Sequence, residues 1–355
     1  MKRNFSLGQE NKNKVKGLKF GSKIIFLINS LVAFLLLISY ILPFIPPKRF
    51  ATLSVLSLGV PLLISLNVIF LIYWLLRVKK QMILSLVVLL LGWSYMNSMY
   101  KFSSSLQIED DANFSVMSFN VRLFNKFGWL PSKTVKDSIL ALISDEAPDV
   151  LCLQEYPISE RLKLKHYYSF NAEYSKGIKG GQTIFSKFPI VNSGSLEFPN
   201  TYNNAIFVDI VKQKDTIRIY NFHLQSSGIG VDVEKLKEET SGHLFKQVGA
   251  TFKAQQEQVE LFLAHKAKSN YKTIVTGDFN NTAYSYIYRK IKGDDLKDTF
   301  KQAGNGFGRT YNFKFFPMRI DFILADEDFT VNGFKTLDVE LSDHYPIKTT
   351  LKLSH

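Results

Sequence analysis

Acidic and imidazole side chains recur in this chain at the ends of short apolar runs. The clearest case is Asp343-His344, set side by side before Tyr345-Pro346 in the segment LSDHYPI. Ser, Asp and Pro all form turns, so the pair taken alone reads equally well as a solvated turn. Other positions offer it partners. The run DVLCLQE (149–155) is apolar and ends on a carboxylate, which either delivers Glu155 to a sheet edge or simply closes a strand in solvent. RIYNFHL (218–224) carries His223 near its end, and FSVMSFNVR (114–122) is a strand that runs out into polar Asn120. In TIVTGDFNN (273–281) an apolar strand stops at Gly277, and Asp278 and Asn280 follow with one residue between them. In extended geometry that spacing aims a carboxylate and a carboxamide to one side, although Gly-Asp is also a common turn. RIDFIL (319–324) puts Asp321 inside an apolar strand, where an unpaired carboxylate is costly. His344 is the candidate that compensates it. Together these groups are the inventory of a phosphoester hydrolase.

The elements that must hold these residues alternate between strand-like and helix-like. An amphipathic helix is expected over 132–146, stopped at Pro148, and a second over about 243–268, rich in Ala, Gln, Glu, Lys and Leu. Strands are expected over 180–190 and 205–211 as well. The single cysteine, Cys152, lies in the apolar run Val150 to Leu153. It cannot close an intramolecular disulfide, and an apolar strand raises a thiol pKa, which argues against a catalytic thiol.

Six segments, MSFNVR (117–122), CLQE (152–155), NFHL (221–224), TGDFN (276–280), RIDFIL (319–324) and SDHYPI (342–347), occur in an order that resembles the endonuclease/exonuclease/phosphatase family of deoxyribonuclease-I-like hydrolases. The resemblance covers nearly all of residues 113–355. It implies a four-layer α/β sandwich, two mixed sheets face to face with helices outside, and a site at one edge of the sandwich. It also implies that Glu155 ligates Mg²⁺, or Mn²⁺ in its place, with Asn120 beside it and Asp343 near the same ion. A hard cation wants such oxygen ligands, and it offsets phosphate charge. By the same resemblance Asp321 pairs with His344, which acts as general base or holds the phosphate as an imidazolium. Asp278 orients or deprotonates water, and Asn280 and His223 donate hydrogen bonds to the transition state. Arg122, just beyond Asn120 on its strand, and Tyr284 are surface candidates for phosphate contact that read more readily as structural.

Ahead of this domain, residues 1–100 read as a membrane anchor. Uncharged runs cover 24–45, 50–76 and 82–99, the last a borderline span, and a polar linker follows over 101–112. The first run is too long for a signal peptide and no small-residue cleavage pattern follows it. Lys2, Arg3, Lys12, Lys14, Lys16, Lys19 and Lys23 precede it, and Arg77, Lys79 and Lys80 separate the second run from the third. Cations collect on the cytoplasmic side, so the N-terminus is expected there, in a plasma or inner membrane. Three spans then leave the catalytic domain outside the cytoplasm, and failure of 82–99 to cross reverses that.

The net charge of +13 divides into +9 before residue 113 and +4 after it, so most of the excess flanks apolar runs and gives little support to a nucleic-acid partner. Lys235, Lys237, Lys246 and Lys253 are offset by Asp232, Glu234, Glu238 and Glu239. Three functions stand open: a membrane-anchored phosphodiesterase or phosphatase, for which the tether favours lipid headgroups; an extracytoplasmic nuclease cleaving DNA or RNA; and a hydrolase-like domain that only binds. No protein partner is evident from the sequence.

Overall fold

A computed structural model describes residues 18–103, 107–157, 162–172, 180–228, 241–313 and 317–354. The cations Lys2, Arg3, Lys12, Lys14 and Lys16, linker residues 104–106, and Asp232, Glu234, Lys235, Lys237, Glu238 and Glu239 lie outside these ranges.

The N-terminal part is helical: α1 (Phe20–Ser39), a short α2 (Ala51–Val55), α3 (Val60–Leu76), α4 (Met82–Leu91) and α5 (Trp93–Met99). Two stretches, Phe20–Phe44 and Ala51–Leu76, are long and apolar enough to cross a membrane. The third run bends by 80° between α4 and α5, so it makes a third crossing only if the bent pair counts as one span. The polar side chains of this bundle turn inward. Trp74 Nε1 donates to Asn29 Oδ1 (2.9 Å), Asn29 Nδ2 donates to Ser85 Oγ (2.7 Å), and Asn67 Nδ2 reaches the Leu63 carbonyl (2.9 Å). Meanwhile Leu27, Leu31, Phe34, Ile69 and Leu76 face outward. An apolar exterior over a hydrogen-bonded interior suits a lipid surrounding.

A short strand β1 (Tyr100–Lys101) pairs with β11 (Gly306–Phe307) and ties this region to the α/β part. That part is a four-layer sandwich. One sheet runs β13-β14-β2-β3-β5-β4 and the other β10-β12-β9-β8-β7-β6. Their strands are β2 (Phe114–Asn120), β3 (Val150–Tyr156), β4 (Tyr168–Ala172), β5 (Gly181–Ser186), β6 (Ile190–Ser195), β7 (Asn204–Lys212), β8 (Asp215–His223), β9 (Lys272–Asp278), β10 (Leu296–Asp298), β12 (Asp321–Asp326), β13 (Phe329–Thr336) and β14 (Ile347–Leu353). Each sheet has one parallel pair at its centre, β2 with β3 and β8 with β9. A parallel pair needs a crossover, supplied by α6 (Val135–Glu146) and α7 (Ser241–Lys266) on the two outer faces. Two short helices, α8 (Tyr286–Lys292) and α9 (Thr299–Ala303), follow β9 and β10.

Side-chain alternation explains the near-continuous apolar runs. Val116, Cys152, Ile219, Ile274 and Ile323 point between the sheets, whereas Met117, Leu151 and Leu153 pack on Ile139 and Ile143 of α6. Tyr220, Phe222 and Val275 pack on Val259 and Phe262 of α7. Both faces of each central strand are therefore buried, and burial pushes the Cys152 thiol pKa well up.

Several expected boundaries shift: the strand expected over 180–190 stops at Ser186, and Ile190 begins the next strand after a bend. Strand 114–122 ends at Asn120, because residues Arg122 to Asn125 all take positive φ. The helix expected over 132–146 begins at Val135, since Asn125 clamps the preceding turn through Leu130 O and Ser132 O. The strand expected from Arg319 begins at Asp321, because the amides of Ile320 and Asp321 both donate to Thr310 Oγ1 (3.0 Å each) instead of a neighbouring strand.

Gly277, directly before Asp278, has φ 123°, and a Cβ there would stand 2.1 Å from the Phe222 carbonyl oxygen. Gly277→Ala should therefore cost on the order of 1–3 kcal/mol or more, since the left-handed backbone and a backbone clash act together. Thermal unfolding of the full chain checks this; an unchanged midpoint would contradict it.

Candidate active site

Along β2, β8 and β9 the inward-facing positions change from apolar to polar and then to the groups of the site, a carboxamide, an imidazole and a carboxylate: Val116, Ser118, Asn120; Ile219, Asn221, His223; Ile274, Thr276, Asp278. Register then aligns the ends. His223 lies opposite Asp278, and Asp278 opposite Asp321, so three groups form one row across the second sheet. Asn120 reaches this row from the first sheet, its Nδ2 3.1 Å from Asp278 Oδ2.

Glu155 arrives by an irregularity. Alternation along β3 would turn it toward α6 with Leu151 and Leu153, but the β3–β5 register shifts between Leu153 and Tyr156, and Glu155 has φ 47°. The bulge keeps Tyr156 in the outer cluster and frees Glu155 to meet Asn120 Nδ2 at 3.3 Å. Asn280 is likewise left-handed (φ 48°), so the extended geometry expected for Asp278 and Asn280 is replaced by a turn with the same effect. Asn280 N donates to Asp278 Oδ1 (2.8 Å), and its Nδ2 donates to Asp278 Oδ2 (3.2 Å) and to Leu224 O (2.9 Å).

His344 Nδ1 lies 3.1 and 3.0 Å from the two carboxylate oxygens of Asp321. Its Nε2 faces Asp278 Oδ2 at 3.7 Å, and the Tyr311 ring stands edge-on to the imidazole at 4.9 Å between centroids. Burial alone would depress His344, but the charges of Asp321 and Asp278 outweigh it and raise its pKa to about 10. Burial raises Asp278 to about 7; His344 and hydrogen bonds from Asn280 and Asn120 pull it the other way. His223 is driven down to about 3 by burial and by the charge of His344. It stands neutral, with Nε2 3.8 Å from Glu155 Oε1 and 3.9 Å from Asp278 Oδ2, and its buried Nδ1 has no partner among the described residues.

Asp343 accepts a hydrogen bond from Ser342 Oγ (3.2 Å) and pairs with Arg122 Nη1 (3.2 Å). Arg122 is not on a strand, as its position after Asn120 suggested; its guanidinium is stacked over Trp129 at 4.3 Å and committed to Asp343. Tyr284 is not a surface residue either. It is buried, stacked 6.1 Å from Tyr95 of α5, and its hydroxyl donates to Tyr95 O.

Glu155, Asn120 and Asp343 are the residues whose oxygen chemistry could hold a divalent cation. Glu155 is raised by burial and by the negative charge of Asp343, and it has one weak hydrogen-bond donor among the described residues, so a cation would relieve it. Asn120 Oδ1 accepts the Arg122 amide (3.1 Å), so ligating a cation through that oxygen would take a half-turn that gives up the Nδ2 contacts to Glu155 and Asp278. Asp278, Asp321 and His344 also bring ligand atoms within 4.8 Å of one another. There, however, Asp321 already holds the His344 ring, and a hard cation prefers the all-oxygen set.

Sequence reasoning missed the layer beneath. Gln154 Nε2 donates to Asn221 Oδ1 (2.7 Å) and Ser118 Oγ (3.1 Å), and Asn221 Nδ2 donates to Leu153 O and Thr183 O, which bolts the two sheets together under the site. Ser118, Asn221 and Thr276 each stand two residues before a site residue, so strand periodicity could have found them. Thr310 and Tyr311 carry no comparable signal.

The endonuclease/exonuclease/phosphatase family model matches residues 117–344, and the chain belongs to that family. Residues 22–99 match a domain of unknown function. No curated protein matches the chain in sequence. Among solved structures, an endonuclease/exonuclease/phosphatase family protein from Bacteroides thetaiotaomicron is 20% identical, covering 70% of this chain and 100% of that one, with a TM-score of 0.54. The B. thetaiotaomicron mannosyl-6-phosphatase is 20% identical over 67% of this chain and 99% of its own, TM-score 0.52. D. rerio TDP2 complexed with a single-strand DNA product is 18% identical over 68% and 100%, TM-score 0.51. At these identities the likeness speaks to fold.

The Asp321–His344 contact generates a direct expectation. Asp321→Asn removes a charge that holds the imidazolium proton, so the His344 midpoint should fall from about 10 toward the ordinary histidine value. Nitrogen NMR of labelled histidine reads this, and an unmoved midpoint would contradict the assignment of cause.

Proposed function

We propose that this chain is a membrane-tethered, divalent-metal-dependent phosphoester hydrolase that works by attack of water on phosphorus. The observation that carries the reading is the convergence of Glu155 and Asn120, with Asp343 near enough for its charge to act on Glu155, beside the Asp321–His344–Asp278 group at one edge of the sandwich. Asp321 fixes the His344 ring through Nδ1, which leaves Nε2 turned toward Asp278. The two act as one acid–base couple that removes the proton from water and holds it while the phosphorus–oxygen bond forms. Asn280, with both amide hydrogens on Leu224 O and Asp278, keeps that carboxylate aimed. Neutral His223 has Nε2 available as a donor to a phosphoryl oxygen. Glu155, Asn120 and Asp343 are the residues that would hold Mg²⁺, which when bound offsets phosphate charge and stabilises the leaving oxygen.

Two observations support the tether and its side. The first two apolar helices have the length for a bilayer. The α/β domain packs on the connection between them: Lys48 pairs with Glu260 (2.6 Å), and Arg289 lies over the Phe44 ring at 4.1 Å. With the N-terminus cytoplasmic, that contact favours an extracytoplasmic domain, and it requires the bent third run to carry the chain back across. A site held at a bilayer surface favours phosphoesters carried by lipids.

The test uses the full chain in lipid nanodiscs with Mg²⁺, on phospholipids, phosphomonoesters, single- and double-stranded DNA, and RNA. The expected result is turnover of a lipid phosphoester that chelator abolishes and His344→Ala reduces by about 10²–10⁴-fold, the usual worth of a positioned acid–base group. Cleavage of DNA or RNA alone would favour a nuclease. A folded protein that binds Mg²⁺ and turns over nothing would favour a binding module.

A further inference from the structure

We infer that the N-terminal apolar region is a positioning element of the catalytic site as well as its tether. This rests on the site reading above. Three places join that region to the α/β domain through buried or interlocking contacts, and each lies within a few residues of a segment that aims a site group.

The first runs through α7. Gln255, fully buried, donates from Nε2 to the carbonyls of Gln225 (2.8 Å), Phe279 (3.3 Å) and Asn280 (3.2 Å), and its Oε1 accepts from Asn281 Nδ2 (2.7 Å). One side chain thus clasps the loop after His223 to the loop after Asp278. The next residue, Gln256, accepts the Lys48 amide (2.9 Å) and donates to Glu260, which also takes Lys48 Nζ. Two turns away, a Cβ on Gly249 would stand 3.2 Å from the Ala51 Cβ, so α2 lies directly on the helix, with Val55 against Val248 and Phe252.

The second is the Tyr95–Tyr284 stack. Tyr284 follows Asn280 by four residues, which span at most about 14 Å of chain. Tyr95 is held in turn by its ring on Tyr40 (4.8 Å) and its hydroxyl on Tyr40 O (2.9 Å).

The third is the junction after α5. Arg319, two residues before Asp321, donates from Nε to Ser98 O (3.3 Å) while Nη1 grips Asp298 at 3.0 and 2.9 Å. The β1–β11 ladder and Gly308 N to Met99 O (3.0 Å) fix the strand that leads to Thr310, whose hydroxyl accepts the Asp321 amide. Asn280 and Asp321, which aim Asp278 and His344, therefore both hang from loops whose far ends rest on the apolar region.

Hydrogen exchange on the full chain in nanodiscs tests this, because it reads the loops whether or not a substrate is known. Tyr95→Ala, and separately Gly249→Trp to wedge α2 away, should speed exchange of amides in 279–284 and 319–322 by about tenfold, leaving the β2 amides unchanged. Tyr95→Phe keeps the ring and should restore protection. With bis(4-nitrophenyl) phosphate and Mg²⁺, kcat should fall in the two loosened variants while KM stays within about twofold. Unchanged exchange in both segments for both loosened variants would overturn the inference. Faster exchange in the two loosened variants of a chain whose wild type hydrolyses nothing would sink the hydrolase reading and leave this one standing.

Discussion

Four carboxylates, Glu155, Asp278, Asp321 and Asp343, share one seam between the sheets with two histidines, and Asp278 and Asp321 are almost wholly buried there. Like charges in a water-poor place repel, and each must find a counter-charge or take up a proton. The protein answers with His344 between Asp321 and Asp278, Arg122 against Asp343, and an Asn120 amide between Glu155 and Asp278. Glu155 receives the least, and burial together with the charge of Asp343 raises its pKa. On the proposed reading, a divalent cation held by Glu155, Asn120 and Asp343 would complete this balance.

Holding such a cluster requires backbone that ordinary strands do not supply. Positive φ at Arg122, Glu155, Gly277 and Asn280 surrounds the seam, each at the point where a strand would otherwise carry its side chain past the site or to the wrong face. Strain of this kind persists only when its surroundings over-determine it. The Gln154–Asn221 network below and the Gln255 clasp beside the site provide that support. The same requirement accounts for the extensive seating of the N-terminal helices on the loops behind Asp278 and Asp321.

Much of this was legible in the residues. Apolar runs ending on Asn120, Glu155, His223 and Asp278 read as strands because both faces of the central strands are buried, and the run of motifs pointed to the sandwich that formed. All eight residues singled out for chemistry lie around the one seam. What escaped has physical reasons. The bulge at Glu155 and the turn at Asn280 depend on partners far away in sequence. Gln255 looks like any other polar residue in AQQEQ until the fold turns it inward. Tyr284 and Arg319 acquire their places only from contact with Tyr95 and Ser98, and no local pattern announces a helix docking on a distant loop.

The most direct measurement is anomalous diffraction from crystals of the full chain grown with Mn²⁺. The account predicts a peak bounded by the Glu155 and Asp343 carboxylates and the Asn120 amide, with His344 still on Asp321. No peak there, or one only among Asp278, Asp321 and His344, would contradict it.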